Sequence, residues 1–271
     1  MLRHMDESRT AEAPATAGIS VEQVPFDAPW SWLAAGWRDL WTAPQVSLLY
    51  GVAFATVSAA LVLGLTVTGL ASLILALAGG FLLVGPIAAV GLYEVSRRLE
   101  SGEPVEVRDV LSAGPKALGQ VGFFGAILAF VYFVWLQLAF LLFMLFLGSR
   151  GLPPAGDFVP TLLFTPHGLG LLVAGTVVGG VIASIVFAIS VISVPLLMAR
   201  RVDAITAIQT SLAAVALNPK PMALWAGLIA GFMALGLATL LIGLVVIFPL
   251  IGHATWHAFR DLVRAAPDGY F

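Results

Sequence analysis

The sequence contains no cysteine. That excludes disulfides, thiolate metal ligands and a cysteine nucleophile, and leaves the redox compartment open. Charge is scarce as well. Asp, Glu, Lys and Arg make up 10% of the 271 residues, against about 25% in an ordinary soluble domain. A chain that is 60% hydrophobic cannot cover a water-facing surface with so few charges. The formal net charge of −2 provides no basic footprint, so no nucleic-acid partner is expected. The opening segment lacks the apolar core of a signal peptide: Arg3, Asp6, Glu7, Arg9, Glu12 and Glu22 are scattered through residues 1–29 among Ala, Thr and Pro. It reads as a disordered tail, leaving the first membrane span to act as an uncleaved insertion signal. There is no nucleophile elbow, no Walker loop and no pair of carboxylates within one apolar run, and an enzyme is not expected.

What the chain does contain is long apolar runs, near residues 46–69, 71–95, 121–147, 168–199, 222–242 and 243–262. A hydrocarbon core about 30 Å thick takes about 20 residues of helix. In lipid such a run must satisfy its own backbone hydrogen bonds, which only a helix does. A barrel would show segments of roughly ten residues alternating in polarity, and these runs do not alternate. The expected fold is an all-α membrane protein with six transmembrane helices. Twelve of the thirteen Lys and Arg residues fall on one side of these runs, Arg150 being the exception. That is the positive-inside pattern, and it puts both termini in the cytoplasm.

The runs read as three parallel copies of one unit: a short amphipathic interfacial helix, a proline, a span, a tight connection and a second span. The units are residues 30–98, 99–201 and 202–262, inside a membrane domain of residues 30–264, with residues 265–271 as a C-terminal tail. Pro44, Pro115 and Pro219 open the first span of each unit, where a missing N–H costs nothing. Pro86, Pro195 and Pro249 lie near the end of the second. In the first amphipathic segment Trp30, Leu33, Ala34, Trp37, Leu40 and Trp41 are spaced to share one helical face. In the second, Val107, Val110, Leu111, Gly114 and Leu118 do so, and in the third Ile205, Ile208, Leu212 and Val215. Trp at the apolar edge of such helices suits the headgroup plane. Asp203 and Asp109 are the expected helix N-caps.

Polar groups inside spans are the first functional suspects, because burying them is expensive. They gather at the cytoplasmic ends of the second and sixth runs: Tyr93, Glu94, Arg97 and Arg98 in the one, His253, Trp256, His257 and Arg260 in the other. Glu94 lies three and four residues from the two arginines, so both pairs meet on one face. His253 and His257 also share a face, a spacing that suits a metal or haem, although Ala254 stands where a zincin carries Glu. Repeat symmetry puts Glu94 and His257 at equal depth and makes His257 the long-range candidate partner of Glu94, beside Arg97 and Arg98, its nearest candidates in sequence. A carboxylate there would favour the imidazolium, which cannot ligate a metal, so no metal or other cofactor is expected. Gln137, the one strongly polar residue of the third run, is expected to make an interhelical hydrogen bond. The segment around Arg150, Asp157 and His167, with four prolines, reads as an extended cover between the third and fourth runs.

Three stretches, LLVGPIAAVGLYEVSRRLESGEP, VPLLMARRVDAITAIQTSL and IGHATWHAFRDLV, resemble a bacterial domain-of-unknown-function family of predicted six-span integral membrane proteins, some of whose members are labelled cytochrome c oxidase subunits. The resemblance covers roughly residues 30–264 and implies a multi-pass protein of the bacterial inner membrane. A haem–copper catalytic subunit needs histidine ligands on several spans, and here the two intramembrane histidines share one. The favoured reading is a non-enzymatic accessory, scaffold or assembly factor of a membrane complex, because buried polar machinery is scarce. The alternatives are a small-molecule or lipid transporter and a haem- or metal-binding respiratory accessory subunit. Membrane lipid, and another integral membrane complex, are the expected partners. Reporter fusions test the topology: those after Arg98, Arg201 and Arg264 report a cytoplasmic location and one after Gly156 a periplasmic one, and a cytoplasmic signal at Gly156 overturns the six-span arrangement.

Overall fold

A computed structural model of the chain describes residues 19–108, 110, 119–148 and 155–265. Asp109 and most of the second amphipathic segment lie outside the described residues, as does Arg150. A short strand β1 (Ile19–Val21) leads into α1 (Ala28–Thr42) and α2 (Pro44–Val67). A 3₁₀ turn (Ala71–Leu73) precedes α3 (Ile74–Ala88) and α4 (Val90–Glu100). Then come α5 (Gln120–Leu147), α6 (Ala155–Phe164), α7 (Pro166–Ser190) and α8 (Ser193–Ala199). The chain closes with α9 (Ala204–Leu217), α10 (Pro219–Ala238), α11 (Leu244–Leu262) and β2 (Val263–Ala265).

Among the described residues the fold is all-α apart from one two-stranded ribbon. Four helical stretches among the described residues are long and apolar enough to cross a bilayer: Pro44–Val67, Gln120–Leu147, Pro166–Ala199 and Pro219–Ala238. The other two apolar runs take a different form. The run at 71–95 is divided into a 3₁₀ turn, the 15-residue α3 and the start of α4. Its break falls at Ala89, three residues after Pro86, which lies inside α3. The run at 243–262 becomes α11, a continuous helix of 19 residues with Pro249 inside, whose C-terminal half carries His253, His257, Arg260 and Asp261.

The end of the bundle that bears Arg97, Arg98 and Arg260 is its basic end, and there the packing is tightest. α1 lies along α11 and also touches α10; α2 and α4 flank α11; and the ends of α4, α8 and α11 meet one another. Two glycines permit this. A Cβ on Gly36 would come within 2.6 Å of the Ala254 backbone nitrogen, and one on Gly51 would overlap the Val245 carbonyl. The expected stripe of α1 therefore straddles a seam. Leu33, Gly36 and Leu40 pack inward with Trp32, while Trp30, Trp37 and Trp41 stay exposed. Spacing alone grouped them because the positions adjoin around the helix; the partner helix decides where the seam falls.

Three further expectations change. Residues 19–29 are ordered rather than part of a disordered tail, and residue 265 belongs to β2. Ile19, Ser20 and Val21 pair antiparallel with Ala265, Arg264 and Val263. The Val24 N–H donates to Asn218 Oδ1 at 2.9 Å, and the Glu22 N–H to the Leu262 carbonyl at 2.9 Å. The proline-rich cover is helical over Ala155–Phe164 despite Pro160, and His167 stands in the first turn of α7. Asp203 caps α9 as expected, accepting the Thr206 N–H at 2.8 Å. Thermal unfolding in detergent tests the glycine seam. Gly51→Ala lowers stability by about 2 kcal/mol or more. The same change at Gly227, where a Cβ meets nothing within 4 Å, is neutral or stabilising.

Candidate functional site

The two histidines of α11 face the seam with α1, α2 and α4. His253 is fully buried. Its Nε2 lies 2.9 Å from Ser47 Oγ of α2, and its Nδ1 lies 2.8 Å from Ser96 Oγ of α4. Ser96 donates to Asp39 Oδ2 of α1 at 2.7 Å, and the same oxygen is 2.8 Å from His257 Nε2. The bond count sets the direction of the chain. A carboxylate only accepts, so the single Ser96 hydrogen goes to Asp39, and Ser96 Oγ accepts from His253 Nδ1–H. Nε2 then accepts from the Ser47 hydroxyl. Every hydrogen points toward Asp39, and four helices are tied through one imidazole.

This network replaces the Glu94–His257 contact that repeat symmetry suggested. Glu94 is held by Arg97 and Arg98, each at 2.8 Å, as the three- and four-residue spacings imply, and His257 turns to Asp39. A guanidinium one turn away satisfies the carboxylate locally, so no imidazole is needed. Trp256 is buried and donates to Glu100 Oε2 at 3.1 Å, and Arg260 Nε donates to Glu100 Oε1 at 2.9 Å. Tyr93 is buried in the core. The structure thus splits the eight sequence candidates into a Glu94–Arg97–Arg98 group, a Glu100-bound pair (Trp256 and Arg260), the core residue Tyr93, and two histidines joined through Asp39 and Ser96. Asp39, Ser47 and Ser96 escaped the sequence reading. Isolated serines in apolar runs are ordinary, and the only signal was Asp39, a lone acid in an otherwise apolar amphipathic helix.

Ser47 has no exposed surface. The Ser47–His253 pair lies inside the bundle, where the network acts as an interhelical clamp. Among the described residues no group of three or more His, Cys, Asp or Glu is placed to hold a metal ion.

The second feature is a cleft of about 730 Å³ between α3, α5, α6 and α7. Trp135 forms one wall, its indole N–H donating to the Ala76 carbonyl at 2.7 Å. A Cβ on Gly79 or Gly179 would meet its ring at 3.3 and 3.0 Å, so the two glycines let α3 and α7 close on either side. Phe158 and Leu162 of α6 line the cleft as well. Among the described residues the lining carries no charge, and its only hydrogen-bonding side chains besides Trp135 are Gln137 and Thr176. Gln137 does not make the expected interhelical bond: it lies exposed in the cleft and has no hydrogen-bond partner among the described residues.

Asp39 stands outside the spans. Burial pushes its carboxyl up, but the hydrogen bonds from His257 and Ser96 outweigh this and hold it below its ordinary value of 3.8. A carboxylate lowered on folding adds stability above that ordinary value and loses it as pH falls through the folded one. Asp39→Leu leaves buried partners unsatisfied, at a cost of about 1–3 kcal/mol. Its deficit in thermal stability at neutral pH narrows once the pH drops below 3.8.

Residues 73–199 match the model of a family described as predicted integral membrane protein (DUF2189). No curated protein and no solved structure matches. The family description names no oxidase. Residues 73–199 are thus similar to a family of predicted integral membrane proteins, in keeping with the resemblance that the sequence carries.

Proposed function

We propose that this protein is a non-enzymatic membrane protein that binds a long apolar molecule, a lipid or a lipid-like compound, in the cleft between α3, α5, α6 and α7. The cleft carries this reading. Its volume of about 730 Å³ falls within the roughly 300–1,000 Å³ of small-molecule sites. Two of its walls belong to candidate spans, so it opens at hydrocarbon depth. All its lining residues lie between Leu73 and Ala183, inside the segment that matches the family.

The finer arrangement belongs to the same proposal: six spans in a bacterial inner membrane, with both termini cytoplasmic. The fifteen residues of α3 follow a 3₁₀ turn and lead into α4, which supports reading 71–95 as a broken second span. The apolar N-terminal half of α11, from Leu244, supports a sixth. A threefold repeat draws support from the packing. α1 rests on α11, α9 rests on α7 and α8, and the ends of α4, α8 and α11 converge. The two described short helices thus each lie on the second span of the preceding unit, the third unit being counted as preceding the first. The exposed Trp30, Trp37 and Trp41, beside Arg38, suit the headgroup layer.

The accessory or scaffold reading rested on the scarcity of buried polar groups. The Ser47–His253–Ser96–Asp39–His257 network weakens that ground, and co-purification of a partner complex in mild detergent is the finding that would restore it. For the lipid reading, native mass spectrometry of the purified protein shows a bound apolar molecule. Gly175 lines the cleft and a Cβ there meets nothing within 4 Å. Gly175→Phe therefore fills the space without a clash, and bound molecule is lost while thermal stability holds. Wild-type protein free of bound lipid, or full occupancy in Gly175→Phe, overturns the proposal.

A further inference from the structure

Gln137 and Thr176 are the feature of the cleft that an apolar chain does not explain. A hydrogen-bonding side chain at hydrocarbon depth finds no water, so leaving it without a partner is costly. Such side chains in spans ordinarily bond across to a neighbouring helix, or back to a carbonyl of their own helix, as Ser58 does to Phe54 and Ser184 to Gly180 at 2.8 Å each. Gln137 and Thr176 do neither among the described residues, and both are exposed in the cleft.

The two lie at one level. Helices α5 and α7 run antiparallel, and a Cβ on Gly170 would meet the Phe146 ring at 2.6 Å while one on Gly179 would meet Trp135 at 3.0 Å. Between these two crossings Thr176 falls opposite the turn that carries Gln137. The amide offers two N–H donors and a carbonyl acceptor, and the hydroxyl offers one donor and two lone pairs. Among the described residues the rest of the lining is hydrocarbon, with no Lys, Arg, His, Asp or Glu. A charged headgroup drawn into such a site would be desolvated without a counterion, which is far more expensive than burying a neutral group.

We infer that the cleft selects an uncharged amphiphile: one long apolar chain along α3, α5 and α7, with a carbonyl or hydroxyl group at the level of Gln137 and Thr176 that pairs with those two side chains. The inference rests on the cleft being a lipid site and adds the class of lipid. The charge-free lining excludes a phosphate or carboxylate head at that level, and the unpaired amide and hydroxyl disfavour a pure hydrocarbon.

Equilibrium binding in detergent micelles to three probes that share one eighteen-carbon chain tests it: oleoylglycerol, with a neutral polar head; octadecene, with none; and oleoyl lysophosphatidate, with an anionic one. The wild-type protein binds oleoylglycerol about five- to tenfold more tightly than octadecene, the worth of one or two hydrogen bonds, and lysophosphatidate most weakly. Gln137→Leu, close in volume, removes most of the preference for oleoylglycerol while octadecene binding is kept or improved, and Thr176→Val acts in the same direction. Equal binding of oleoylglycerol and octadecene by the wild type overturns the inference and leaves the cleft as a plain apolar-chain site. So does a preference that survives in both variants, or lysophosphatidate as the tightest ligand. Binding of none of the three overturns the lipid reading itself.

Discussion

One buried imidazole holds the basic end of this protein together. His253 of α11 stands between a hydroxyl from α2 and a hydroxyl from α4, and the second of these passes the bond on to Asp39 of α1. Four helices that share little else in sequence are tied at one point. In an apolar interior each of these polar groups would be costly alone, and together they satisfy one another. The close approach that this requires comes from Gly36 and Gly51, which bring the backbones of α1 and α2 against α11. Outer pairs reinforce the clamp: Trp32 donates to Asp261 at 2.9 Å, and Glu100 receives both Trp256 and Arg260.

The far half of the bundle is built on the opposite principle. Its contacts are glycine against aromatic ring, as at Gly79 and Gly179 on Trp135, and its interior polar groups are few. The two halves meet at helix breaks. α3 gives way to α4 at Ala89, where the Tyr50 hydroxyl bonds the freed Ala88 carbonyl. α7 gives way to α8 after Ser190, where Ser211 donates to the Ala188 carbonyl at 2.7 Å and accepts the Ile192 N–H at 3.3 Å. Both breaks are capped by side chains from other helices, so they are fixed parts of the fold rather than frayed ends. Both lie in helices that line the cleft. The rigid basic end therefore anchors the walls of a cavity whose chemistry is hydrocarbon with one amide and one hydroxyl.

Much of the fold was legible in the chain. Apolar runs of span length leave the backbone no choice but helix in lipid, and Pro44 and Pro219 sit in the first turns of their helices as the missing N–H dictates. The Glu94 pairs with Arg97 and Arg98 were legible too, because helix geometry alone brings residues three and four apart together. The β1–β2 ribbon was not. Its strands are three residues each and lie at opposite ends of the chain, too short for any periodicity to register. The far half was misread at Gln137 for a related reason: a polar residue in an apolar run announces a need for a partner but not whether the protein supplies one.

Composition and periodicity determined, by themselves, that this chain is helical, membrane-embedded and free of thiol chemistry. They follow from the cost of unpaired backbone groups in hydrocarbon, which depends on residue type and run length alone. Only the tertiary structure decided which polar groups meet. Asp39, Ser96 and His257 are separated by 57 and 161 residues along the chain, and hydrogen bonds of under 3 Å between them depend on helix crossings that no local pattern encodes. The same holds for the cleft. Gly79, Trp135 and Gly179 are unremarkable in sequence, and the space around them exists because one large ring stands between two helices that close on it through glycines.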